Sequence, residues 1–231
     1  VVKIQAQDLP TAPENVAECA TPDPLYHWQM VDGKCQKVWS FTVQIDINYP
    51  PQLDSYPAIK SVVLDYLKEE ETDFIQLAAG AIRDPMNPYS LTIDYQVFNY
   101  TPTIQTFVFE EKHRTGGAHE NVRMKTLTFD VLTNRQITLD TVFQNTPNAL
   151  RQIAFLIRKA RFESNPFGLL DEWFFRGTEA TLDNYHAFVM LPDALAFYFV
   201  PYQVSPFATG VQTASVPWHE LRAYVWQEFW R

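Results

Sequence analysis

Glycine is scarce in this chain, with 7 among 231 residues. A phosphate-cradling loop or a dinucleotide fingerprint needs several closely spaced glycines, and neither pattern occurs. The nucleophile motif Gly-x-Ser-x-Gly is also missing, so that serine-hydrolase signature is excluded. Cysteine is scarcer still, limited to Cys19 and Cys35. A zinc centre takes about four ligands, which this pair cannot supply. Two cysteines in one short early segment read most simply as a disulfide, and a disulfide implies an oxidising compartment. No apolar run approaches the ~20 residues of a membrane helix. The chain opens on Val1 with no signal-peptide pattern, and whether a leader or lipid anchor precedes it is not written in these residues.

Positive charge is short as well. Lysine and arginine total 18 against 27 aspartates and glutamates, a net charge of -9. The densest basic run is Arg158-Lys159-Ala160-Arg161. This balance argues against a nucleic-acid partner, because phosphate binding needs a positive footprint. A cationic partner fits it better.

Hydrophobic residues make up 46% and aromatics 15%, a globular composition with a large core. Residues 1–38 hold Pro10, Pro13, Pro22 and Pro24 and read as an irregular arm pinned by Cys19 and Cys35. Phe41, Val43, Ile45 and Ile47 then alternate with polar residues, a half-buried strand. From Pro57 to about Ala79 the period is helical, with Ile59, Val62, Val63, Leu67, Phe74 and Leu77 on one stripe. Glu69-Glu70-Glu71 reads as a solvated face or a break. Strands follow over 91–100, 104–112 and 122–131, the last two joined by a turn holding Gly116 and Gly117. Gly117 is expected to take a positive φ.

Ile137 and Leu139 read as the return strand of a hairpin turned by Thr133-Asn134-Arg135. A second helix starts at Thr146-Pro147, with threonine as cap and proline in the first turn. Trp173, Phe174 and Phe175 sit in a stretch without a readable period. Strands at 186–191, 195–200 and 211–216 lead to a closing helix from Pro217, with Leu221, Tyr224, Val225 and Phe229 inward.

Several motifs appear in a fixed order. Thr115-Gly116-Gly117-Ala118-His119 is followed by Leu127-Thr128-Phe129-Asp130 and then by 137–143. Phe197–Tyr202, Pro206–Gly210, Val216-Pro217 and Glu220-Leu221 come after. This series resembles the PdaC/SigV-associated domain family over roughly residues 39–225, with Glu120 where the family commonly has glycine. Such domains occur in extracytoplasmic bacterial proteins, including lysozyme-binding anti-sigma-factor ectodomains and the N-terminal module of a peptidoglycan deacetylase.

The resemblance implies an α+β fold: a mixed, largely antiparallel sheet packed by a few helices, in two tandem subdomains forming one unit. The expected divisions are an arm at 1–38, a PdaC-like subdomain at 39–121 and a C-terminal subdomain at 122–231. It also implies an extracytoplasmic binding module for a cationic, lysozyme-like protein or a cell-wall glycan. No catalytic residue, cofactor or metal is assigned. Ligand-binding or motif residues are expected at Thr115, Gly116, Gly117, Ala118 and His119, and at Tyr198, Pro201, Tyr202, Pro206, Phe207 and Gly210.

His119 is the alternative, as general base of an envelope hydrolase or deacetylase-like enzyme. A histidine whose ring nitrogens lock the turn is the competing reading. His113 with His119, joined by Glu110 or Glu111, does not match a recognised zinc spacing. The loop Tyr202–Gly210 carries aromatic and backbone polar groups suited to a binding edge, or packs Tyr202 and Phe207 inward.

Overall fold

A computed structural model describes residues 2–8, 26–31, 34–79, 89–164 and 172–230, with the backbone alone up to residue 42. The chain is α+β and divides into two compact units. The first takes Val1–Ile47, Leu64–Ile93 and Lys112–Asn121; the second takes Asn48–Val63, Asp94–Glu111 and Val122–Arg231.

In the first unit, β1 (Val2–Asp8) and β2 (Tyr26–Val31) both run antiparallel to β3 (Lys34–Ile47). The stretch read as an irregular arm therefore holds strands. Val2, Ile4 and Ala6 alternate with Lys3, Gln5 and Gln7, a period of two that the downstream prolines had outweighed. Cys19 lies outside the described residues, and its pairing with Cys35 with it. The end of β3 pairs in parallel with the start of β4 (Ser90–Asn99), Gln44–Ile47 against Ser90–Ile93. A parallel pair needs a long crossover, and α1 (Pro57–Ala79) lies within it.

Helix α1 runs unbroken through Glu69-Glu70-Glu71. Its buried row is Ile59, Val63, Leu67, Phe74 and Ala78, while Val62 is 42% and Leu77 52% exposed. The stripe is narrower than expected, because only residues three or four apart, or whole turns further on, share a helix face.

Strands β5 (Ile104–Arg114), β6 (Asn121–Asp130) and β7 (Arg135–Ile137) follow β4 in order, with all of β5 before Lys112 and all of β6 after Asn121 in the second unit. Leu139 does not prolong the hairpin. It opens α2 (Leu139–Val142), where Thr141 Oγ1 accepts the Thr138 N–H at 2.9 Å and caps the turn. Helices α3 (Thr146–Ser164) and α4 (Glu172–Gly177) come next. A small antiparallel sheet, ordered β10-β9-β8, is made of β8 (Phe188–Met190), β9 (Ala194–Phe199) and β10 (Gln212–Pro217).

Alternation along β9 splits this small sheet's faces. Leu195, Phe197 and Phe199 join the main core with Leu150, Ile153 and Ile157 of α3. Ala196 and Tyr198 face the other way, with Val108 of β5 and Met124 of β6. The outer edge of β8 is satisfied by threonines. Thr126 Oγ1 accepts from Phe188 N–H at 3.1 Å, and Thr106 Oγ1 from Met190 N–H at 3.4 Å.

The closing helix is shorter than expected. After α5 (Trp218–Leu221), Tyr224 accepts from Gln144 N–H at 2.8 Å, and Trp226 donates to Val142 at 3.0 Å. Backbone groups spent on that neighbouring segment cannot continue a helix.

Candidate functional site: an aromatic cleft at the end of α4

The expected site residues fall into three places. Thr115–His119 form the β5–β6 turn of the first unit, exposed at 116–118 and half-buried at His119. Arg114 Nε and Glu120 Oε1, 3.7 Å apart, flank it. Gly116, not Gly117, has the positive φ, +86°. A Cβ on Gly116 would make only ordinary contact with the Tyr89 ring, at 3.4 Å, so it is the φ and not the space that favours glycine there.

Tyr198 occupies a second place, in the second unit. It lines a cleft of about 210 Å³ with Asp94, Glu110 and Met124. Burial, and then the Glu110 charge, raise its phenol above the ordinary value. Tyr198 is therefore a neutral hydrogen-bond donor at ordinary pH, which suits binding and not nucleophilic attack.

Pro201, Tyr202, Pro206, Phe207 and Gly210 form the third place, the loop between β9 and β10. Tyr202 has a φ of +70°, uncommon for a bulky residue. Its neighbours over-determine that conformation. Tyr202 N–H donates to Ser205 at 3.0 Å and Gln203 N–H to Val200 at 3.0 Å. The Gln203 amide then reaches across, donating to the carbonyls of Asn184 at 3.0 Å and Gly177 at 3.3 Å. Asn184 in turn donates to Arg176 at 2.9 Å and Glu179 at 3.2 Å. At the far end, Thr209 Oγ1 donates to Pro206 at 2.7 Å, and Gly210 takes φ +67°, ψ -162°, a region open essentially to glycine.

Gly177 closes α4 against this loop. A Cβ there would stand 1.9 Å from the Gln203 carbonyl oxygen, so only glycine permits the approach. The result is a cleft of about 430 Å³ between α4, the 179–184 segment and Tyr202-Gln203. Trp173 meets Tyr202 edge-on, with ring centroids 5.9 Å apart at 86°. The Phe207 ring also meets Tyr202, with centroids 5.9 Å apart at 34°. Trp173 and Tyr202 remain 41% and 52% exposed, so their rings are available while their positions are held. Arg176, Glu179, Asp183 and Asn184 supply charged and amide groups around the rings.

Aromatic faces beside planar polar side chains can stack an apolar ring face and hydrogen-bond its polar edge. Of this cleft the sequence reading reached Tyr202 and its supporting loop, and missed Trp173, Asp183, Asn184 and Gln203. The only signal was the unassigned aromatic cluster at 173–175.

Comparison with known proteins agrees with this fold. Residues 140–219, which include the cleft's described part, match the family model described as "Protein of unknown function (DUF3298)". The chain is 24% identical over 126 residues to the peptidoglycan-N-acetylmuramic acid deacetylase PdaC of Bacillus subtilis. That match covers 54% of the chain and 27% of the deacetylase, so the chain spans about a quarter of that relative. It is also 24% identical over 175 residues to an esterase of Mycobacterium tuberculosis, covering 75% of the chain and 74% of the esterase. A crystal structure of a DUF3298 family protein from Pseudomonas aeruginosa shares the fold, with a TM-score of 0.62 and 12% identity over 99% of this chain and 94% of that one. Among the described residues no helix is long and apolar enough to cross a membrane. Residues 140–219 thus match the DUF3298 model, in a chain that is similar to PdaC over about half of its length, in line with the resemblance its motifs carry.

Proposed function

We propose that this chain is an envelope binding module that holds a cell-wall glycan fragment in the Trp173–Tyr202 cleft without turning it over. The carrying observation is the pair of exposed, position-locked aromatic rings ringed by Arg176, Glu179, Asp183 and Asn184. Sugars present an apolar face and a hydroxyl rim, and this cleft offers the complement of both. Relation to a peptidoglycan deacetylase supports the substrate class.

A lysozyme-like cationic protein is the second reading, favoured by the net charge of -9. The test is calorimetric titration with soluble peptidoglycan fragments, alongside lysozyme and an unrelated protein of matched basic charge. Trp173→Ala and Tyr202→Ala are expected to weaken fragment binding about tenfold each, in line with a stacked aromatic anchor. Lysozyme-specific binding insensitive to both substitutions would move the function to the second reading. Release of acetate or cleaved glycan, lost in a folded His119→Ala variant, would replace both with an enzyme.

A further inference from the structure

The outer face of α3 carries a feature that glycan binding does not use. Arg151, Phe155, Arg158, Lys159 and Phe162 fall within about 100° of one another around the helix. The opposite face, with Ala149, Leu150, Ile153 and Ile157, is buried in the core. Phe155 is 59% and Phe162 53% exposed, two turns apart on the same stripe. The three cations line a groove of about 400 Å³ together with Ala154, Phe155 and Ala180.

Two of the cations are held by neutral groups. Arg158 donates to the Thr178 hydroxyl at 2.9 Å and the Phe175 carbonyl at 2.8 Å, both neutral acceptors. Its guanidinium lies over the Phe175 ring at 5.2 Å, and Phe175 is itself 42% exposed. Arg151 is held by the amide oxygen of Asn148, again a neutral group. Lys159 has a carboxylate beside it, Glu163 at 3.8 Å, an exposed pair of little strength.

A basic stripe with protruding phenylalanines, on a chain of net charge -9, is a local reversal of the molecule's sign. Physiological salt screens exposed charges over ~8 Å, so a partner seated on α3 feels the charges nearest to it most. Arginine and lysine attract an anionic surface, and phenylalanine inserts at the boundary between headgroup and acyl chain. A purely anionic polymer would use the cations and leave the phenylalanines without a role.

We infer that the outer face of α3 is a docking surface for an anionic lipid bilayer, engaged through Arg151 and Lys159 and anchored by Phe155 and Phe162. This surface is independent of the glycan cleft, and neither reading depends on the other. The test is co-sedimentation of the full chain with vesicles of phosphatidylcholine alone, or mixed with phosphatidylglycerol, at low and high salt. Binding is expected only to the mixed vesicles and is expected to fall on raising salt. The Arg151→Glu/Lys159→Glu double variant should lose binding about tenfold, and Phe155→Ser/Phe162→Ser about fivefold, given two cations and two interfacial side chains. Arg158 is left intact because it braces α4, and unchanged thermal melting confirms that each variant is folded. Failure to bind mixed vesicles, equal binding to both kinds, or full binding by either double variant would overturn the inference. So would phenylalanine-independent binding matched by a soluble anionic polymer.

Discussion

At the scale of single residues, the second unit depends on groups whose replacements look mild. Gly177 adjoins the Gln203 carbonyl so closely that a Cβ would lie 1.9 Å from it. Gly177→Ala must push α4 away from the loop, and overpacking of that kind costs about 3 kcal/mol. Denaturant unfolding should record that loss together with weakened fragment binding, whereas Gly117→Ala, whose Cβ has nothing closer than 3.7 Å, should be nearly neutral.

Tyr185 is fully buried and donates to the Thr178 carbonyl at 3.0 Å. Burial raises its phenol far above the ordinary value of 10.0, with Arg158 opposing in part, and burial raises Tyr198 as well. The folded state therefore holds these protons more tightly than the unfolded chain. Below pH 10.0 both states are protonated and the contribution is constant; as pH rises above it, the unfolded phenols ionise first and stability falls. Chemical denaturation on either side of that pH should show the decline. Phenolate absorbance from Tyr185 should appear only with unfolding.

At the scale of elements, the outer edge of β8 is the instructive case. A strand edge normally pairs with another strand or faces water. Here the Phe188 and Met190 amides donate to the hydroxyls of Thr126 and Thr106, and Thr106 meets Thr128 at 3.0 Å. Thr126→Val keeps the shape and removes the acceptor, leaving a buried N–H unsatisfied. The expected cost is about 1–3 kcal/mol, read by thermal unfolding. Thr133→Val is a control of the same chemistry: its hydroxyl donates to Asp130 at an exposed turn and should matter little.

At the scale of the whole molecule, the cysteine pair bears on compartment. We propose that Cys19 and Cys35 are bonded. A loop of that size would contribute roughly 3 kcal/mol in the chain-entropy model. Thiol titration of the denatured, unreduced protein should find no free thiol; two free thiols would remove the pairing and the main residue-level argument for an oxidising compartment.

Period and turn chemistry were legible in the chain itself. Alternation marked β3, β4, β5, β6 and β9, Pro147 in the first turn marked the start of α3, and the order of motifs marked the family, because each of these is written in neighbouring residues. The cap of α3, though, is Asn145, whose Oδ1 accepts from Asn148 N–H at 3.1 Å, and not Thr146. Local pattern also explains the misreadings. Leu139 alternates correctly for a strand, yet the Thr138–Thr141 cap turns it into helix. Val225 has helical spacing from Leu221, yet forms a bridge with Phe143, a residue far off in the chain. Tertiary structure alone joined Trp173 to Tyr202 and placed Gly177 against Gln203, since contacts between segments 26 to 29 residues apart leave no periodic trace.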